Sequence, residues 1–312
     1  ELIKKFGSDI IRLWVSSEDY RNDVRIGFDM MNQNADSYRK IRNTMKFIIG
    51  NISDFTDDRK VPYNELPDID KWILHKLSVL SQQVIESYEK FEFHLVYRRI
   101  VNFCAVELSS VYFDISKDIL YIEMKDSKRR KAAQTVLKEL YETLVRLIAP
   151  ILAFTAEEIW WFMGNSDSIH MQRYYKLDEA YMNNDIEKNV EHLVDIKKDV
   201  LKALENERKN KVIGTSVEAD IALFVKSDGM KSIIAKMGEE AARFFQVSKV
   251  TLLNEMTTQC TEYENSAIAV KKSSGVKCVR CWNYTDAIGT DPQHPELCPR
   301  CTGIIQEILK KQ

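Results

Sequence analysis

Two Cys-x-x-Cys pairs, Cys278-Val-Arg-Cys281 and Cys298-Pro-Arg-Cys301, stand sixteen residues apart and constrain the fold of this chain more tightly than any other feature. Two residues between thiols let one tight turn present both sulfurs to a single tetrahedral ion, and a second such turn closes the other half of the shell. The spacing therefore predicts one zinc ion held by Cys278, Cys281, Cys298 and Cys301 in a ribbon-like segment. Four thiolates leave no open position for a catalytic water, so the metal is expected to be structural. So short a segment has little core of its own, and the ion must supply much of its folding energy. A redox pair or two disulfides is the competing use of these thiols, but a chain this large does not need them, and a reducing, cytoplasmic compartment suits the metal. His294 offers another donor; with four cysteines present it reads as a loop residue.

Upstream, apolar residues recur at helical spacing. In residues 29–55 the stripe is Met30, Ile41, Met45, Ile48, Ile49 and Ile52. Residues 57–67, with Pro62 and Pro67, form a loop, and Asp68 is placed to cap a second helix carrying Trp72, Leu77, Leu80, Val84, Ile85 and Tyr88. A third helix over 92–117 turns Val96, Ile100, Phe103, Val106, Val111 and Ile115 inward. A fourth runs from near Asp126 to Pro150, and residues 155–163 complete the series. Only 10 Gly and 6 Pro occur in 312 residues, which favours long helices. Long helices with short connections imply an up-and-down bundle. After a helix at 186–211 the period drops towards two, giving strands at 219–225, 250–253 and 267–270 around a helix at 229–245. The expected fold class is mainly α: an up-and-down helical bundle, a small α/β junction unit and a C-terminal four-cysteine segment resembling a zinc ribbon.

The formal net charge is −2, so any nucleic-acid contact must rest on local basic patches. Arg39 and Arg42 fall one turn apart on one helix face. Lys125, Lys128, Arg129, Arg130 and Lys131 gather at the start of the fourth helix, where the dipole disfavours cations; they either bind phosphate or pair with acidic neighbours. Residues 271–312 carry seven basic side chains against four acidic ones, with Trp282 beside Arg280 in the first cysteine turn and Arg300 in the second. Aromatic rings among cations suit single-stranded RNA; a ring that covers the metal turn is the alternative. The candidate RNA contacts are Arg39, Arg42, Arg129, Arg130, Arg280, Trp282 and Arg300.

No apolar run is long enough for a membrane span. No Gly-rich phosphate loop occurs, the five histidines are scattered, and Glu157 and Glu158 point in different directions on a helix. No catalytic site can be assembled from these residues. The chain begins Glu1-Leu-Ile-Lys-Lys-Phe6, which reads as the interior of something longer.

The stretch Gly7-Ser-Asp-Ile-Ile-Arg-Leu-Trp-Val15, with Asp19-Tyr-Arg-Asn-Asp-Val-Arg25, resembles the segment after the KMSKS signature of class I isoleucyl-tRNA synthetases. Tyr38-Arg-Lys-Ile-Arg-Asn-Thr44 is similar to the helix that opens their anticodon-binding bundle. Asp126-Ser-Lys-Arg-Arg-Lys-Ala-Ala-Gln-Thr-Val-Leu137 and Leu147-Ile-Ala-Pro-Ile-Leu-Ala-Phe-Thr-Ala-Glu-Glu-Ile-Trp160 resemble later parts of that bundle. Val212-Ile-Gly-Thr-Ser-Val-Glu-Ala219 is similar to the family's junction, and the cysteine pairs match its terminal zinc motif, a form shared with formamidopyrimidine-DNA glycosylases. The resemblance implies residues 1–28 as a stem-contact remnant, 29–170 as the bundle, 171–270 as the α/β junction and 271–312 as the zinc domain. It further implies a monomeric partner of tRNA(Ile), docking chiefly the anticodon stem-loop. ATP and Mg²⁺ would belong to a catalytic domain that these residues do not contain. A DNA-repair enzyme with a terminal zinc finger and a helical scaffold stapled by zinc are the rival readings.

Overall fold

The computed structural model describes residues 2–24 and 26–310; Glu1, Arg25, Lys311 and Gln312 lie outside it. The chain divides into two compact units, residues 1–116 with 128–187, and residues 117–127 with 188–312.

The first unit opens with α1 (Leu2–Phe6) and α2 (Ser8–Ser17), which apolar spacing leaves unassigned, and continues with α3 (Phe28–Asn51), α4 (Asp68–Glu89) and α5 (Phe93–Asn102). Pro67, not Asp68, takes the capping position of α4; Asp68 is its first helical residue and makes no side-chain cap, although a carboxylate there still favours the helix dipole. At the start of α3 Met31 is fully buried, and Met30 is only half-buried. α5 runs unbroken into a π-helix, Phe103–Tyr112, and then α6 (Phe113–Ile122). The wider i→i+5 turn moves the apolar stripe off its 3.6 period. Val106, expected inward, is therefore 49% exposed, while Leu108 is fully buried.

α7 (Lys128–Ile148) packs on α3 and α4, and α8 (Ala153–Phe162) follows the break at Pro150. The ends exposed by that break are satisfied from α2. Arg12 donates to the Ile151 and Pro150 carbonyls at 2.8 and 2.7 Å, and Asp9 accepts from the Thr155 N–H at 2.7 Å and its hydroxyl at 2.6 Å. Ile41, Met45 and Ile48 of α3, Ile73, Leu74, Leu77 and Val84 of α4, and Leu137, Leu140 and Leu144 of α7 form the core. Each such side chain gains about 1.5–3 kcal/mol on burial.

α9 (Asn184–Lys209) leads into the second unit, which contains β1 (Ala219–Val225), α10 (Asp228–Met237), α11 (Glu240–Phe245), β2 (Lys249–Leu252), β3 (Thr261–Glu262), β4 (Ser266–Lys272), β5 (Val276–Lys277), β6 (Tyr284–Thr285) and α12 (Pro299–Lys310). The helix expected over 229–245 is two helices, because Gly238 takes φ +55° and ends the first. The larger sheet has the order β2-β1-β4-β3, with β1 parallel to β2 and antiparallel to β4, and Ile221 faces Val250 on one side and Val270 on the other. Asp199 of α9 accepts from the Asn265 N–H at 2.9 Å and the Ser266 hydroxyl at 3.1 Å, tying the helix to β4. The mainly helical fold, small sheet and C-terminal cysteine cluster are the architecture that the sequence predicts.

Candidate metal centre and RNA-facing residues

β5 pairs with β6 so closely that a Cβ on Gly275 would lie 2.6 Å from the Thr285 backbone, so glycine is required where the hairpin begins. The first cysteine pair forms the hairpin turn: Cys278 N–H donates to the Asn283 carbonyl and Trp282 N–H to the Cys278 carbonyl, each at 2.9 Å. The second pair opens α12, where Pro299 is the first helical residue and costs no hydrogen bond. All four sulfurs lie within 4.8 Å of one another, with Cys278, Cys298 and Cys301 buried and Cys281 half-buried. Cys281 and Cys298 Sγ are 3.7 Å apart. A tetrahedron with Zn–S bonds of about 2.3 Å has sulfurs about 3.8 Å apart, so the donor set fits a zinc ion. Hydrogen bonds from Cys281 and Cys301 hold the Cys298 thiol far below its ordinary value, while its bond to Cys298 pushes Cys281 far above. A dipositive ion relieves that crowding by favouring the thiolate at all four positions. His294 stands outside the cluster.

The candidate RNA contacts fall into two groups. Arg129 Nη1 donates to Asp70 Oδ2 at 2.7 Å, and Asp70 is fully buried and also accepts from Tyr112 Oη at 3.0 Å. Arg130 meets Asp54 at 2.8 and 3.2 Å, and Gln134 donates to the same carboxylate at 2.6 Å. Lys128 pairs with Glu65 at 2.7 Å. The basic start of α7 is therefore engaged inside its own unit. Burial acts to raise Asp54, but Arg130 and Gln134 outweigh it and hold the carboxyl below its ordinary value. Arg300 reaches Asp118 and Glu123, each at 2.7 Å, and Arg280 donates to the Ile122 carbonyl at 2.7 Å.

Arg39, Arg42 and Trp282 stay at the surface. Arg39 is 68% exposed and pairs with the equally exposed Asp36; Arg42 is 54% exposed and only 4.0 Å from Glu158. Lys40 and Lys46 share the solvent side of α3, a basic neighbourhood for which the charge pattern of the helix was the available signal. Glu157 and Glu158 do diverge, but each finds a partner: Glu157 accepts from Ser168 and Ile169, and Glu158 faces Arg42. Trp282 is 63% exposed at φ +67°, a conformation that costs a side chain about 1–2 kcal/mol, and Lys277 Nζ lies 5.3 Å from its ring centroid.

Residues 70–223 match the family described as the anticodon-binding domain of tRNA ligase, and residues 275–302 match the zinc finger found in FPG and IleRS. Isoleucine–tRNA ligase of Syntrophotalea carbinolica is 39% identical over 312 residues, 98% of this chain. Those of Brachyspira hyodysenteriae and Caldanaerobacter subterraneus subsp. tengcongensis are 41% and 42% identical over 98% and 99% of it. Along nearly its whole length the chain is similar to isoleucine–tRNA ligases. It spans 34% of the length of these curated relatives and corresponds to the C-terminal part of the ligase. Among solved structures, the ternary complex of Agrobacterium radiobacter K84 LeuRS with tRNA and LeuAMS aligns at 10% identity and a TM-score of 0.44, over 86% of this chain and 29% of that one, a likeness too slight to argue from. No helix among the described residues is long and apolar enough to cross a membrane.

Proposed function

We propose that this chain is the tRNA-reading part of an isoleucine–tRNA ligase. It docks the anticodon stem-loop of tRNA(Ile) and orients the acceptor end towards a catalytic domain that joins isoleucine to the tRNA with ATP and Mg²⁺. The observation that carries this reading is the identity of 39–42% with isoleucine–tRNA ligases along nearly the whole chain. Residues 29–170 supply the anticodon-binding bundle, 171–270 the junction, and 271–312 the zinc domain, with 1–28 a remnant of the stem-contact segment. The ligase acts as a monomer in the cytoplasm.

Binding rather than bond chemistry is the work of these residues. Arg39 and Arg42 present exposed guanidinium groups for phosphate oxygens, and such contacts fix register without reading sequence. Trp282 offers an open ring face on which an unpaired base can stack. Arg129, Arg130, Arg280 and Arg300 act indirectly, holding the body that presents these groups. Cys278, Cys281, Cys298 and Cys301 hold one zinc ion, which supplies a rigid cross-link and no chemistry. Titration of the chain with tRNA(Ile) and a non-cognate tRNA at two salt concentrations tests the proposal. Tighter, salt-dependent binding of tRNA(Ile) is expected; equal and negligible binding of both contradicts it.

A further inference from the structure

The zinc turns touch a segment that the sequence places far from them. Residues 117–127 end α6 and precede α7, yet they belong to the second unit with the cysteines. The Ile122 side chain packs against the buried cysteine cluster, together with Ile288 and Leu297. Arg280 Nη2 donates to the Ile122 carbonyl at 2.7 Å, while its Nη1 points at Cys301 Sγ, 3.7 Å away. Arg300 forks onto Asp118 at 2.7 and 3.2 Å and also reaches Glu123 at 2.7 Å. Arg243 of α11 approaches the same two carboxylates at 3.4 and 3.5 Å.

Arg280 and Arg300 occupy the same place in the two turns, Cys-x-Arg-Cys, so each guanidinium is aimed by the turn that aims its sulfurs. Turns that converge on one ion therefore also converge both arginines on residues 118–123. A zinc ion held by four thiolates carries two net negative charges, and a guanidinium donating to one sulfur offsets part of that charge. Groups that hydrogen-bond metal ligands generally change affinity about 10–100-fold when removed.

We propose that residues 117–127 are the outer shell of the zinc site, clasped by Arg280 and Arg300, so that metal binding and ordering of this segment are one event. The zinc then does more than staple a terminal hairpin. It fixes the stretch through which α6 leaves the first unit, and Arg280 is the positioning residue that joins sulfur to backbone. This inference rests on the zinc reading of the four cysteines but not on tRNA binding.

Hydrogen exchange of the full chain, read by mass spectrometry with zinc bound and after removal by a chelator, tests it, with zinc content measured in the same samples. Peptides covering 117–127 should exchange at least tenfold faster after removal, together with 275–302, while α4 is unchanged. Arg280→Ala, still holding zinc at saturating metal, should speed exchange in 117–127 and weaken zinc affinity about 10–100-fold. Arg280→Lys should recover little, because one ammonium cannot span both acceptors as the fork does. Faster exchange in 275–302 with 117–127 unchanged overturns the clasp while leaving the zinc site standing. A chain that takes up no zinc overturns both. If metal removal loosens the whole second unit, zinc-loaded Arg280→Ala decides alone: exchange in 117–127 and zinc affinity both within twofold of the parent contradict the proposal.

Discussion

The start of α7 and the solvent side of α3 carry similar charge and do opposite things with it. At α7, Arg129 and Arg130 turn inward onto Asp70 and Asp54, and each pair is mostly removed from water. At α3, Arg39 and Arg42 pair with the exposed Asp36 and Glu158, the second at 4.0 Å. Exposed ion pairs contribute about 0–1 kcal/mol and exchange readily for another anion, whereas a buried pair cannot be given up without stranding its carboxylate. Clustered basic residues thus do not by themselves mark a nucleic-acid surface. What separates the two clusters is whether the carboxylate that meets them is buried or half-buried, or open to water.

The largest effect should come from Arg129→Ala. Removing the guanidinium leaves the buried Asp70 carboxylate to the Tyr112 hydroxyl, and breaking a buried pair in this way typically costs about 3–5 kcal/mol. Urea denaturation should show that loss, and a change below about 1 kcal/mol would erase the contrast between the two helices. Arg130→Ala should cost less, about 1–3 kcal/mol, because Asp54 is partly exposed and keeps its bond from Gln134. In both variants the folded fraction should bind tRNA within about twofold of the parent.

Acid should sharpen the difference. Asp54 is held below its ordinary value in the folded chain, so on acidification the unfolded chain takes up the proton first. Its contribution is present above the ordinary carboxylate range and is lost as pH falls through the folded value. Denaturation midpoints measured from pH 7 down to 3 should therefore fall less steeply in Arg130→Ala than in the parent. Parallel curves would mean that the pair does not couple to folding. At the small end, Arg39→Ala with Arg42→Ala should leave stability within about 0.5 kcal/mol, as expected for substitutions at exposed positions.

The four cysteines were legible because their ligand spacing is a local property, and the long helices because burial repeats along the chain. The ion partners of these arginines were not legible, since they lie 59 residues away for Arg129 and Asp70, 76 for Arg130 and Asp54, and 182 for Arg300 and Asp118. Val106 misled the helical reading because an α period carried through a π-helix loses phase. Residues 117–127 look like a plain end of a bundle helix, and only the folded chain sets Ile122 against the cysteines. Pro67 replaced Asp68 at the cap because a preceding proline already holds the extended backbone that the position needs.

The most direct test of the contrast is the salt dependence of tRNA(Ile) affinity in the Arg39→Ala, Arg42→Ala double variant and in Arg130→Ala. If α3 holds phosphate, the double variant should bind about tenfold more weakly, and the slope of log affinity against log salt should be shallower by roughly one to two. Arg130→Ala should keep the parent's slope. An unchanged affinity and slope in the α3 variant, with the loss appearing in Arg130→Ala instead, would contradict the assignment of the two helices.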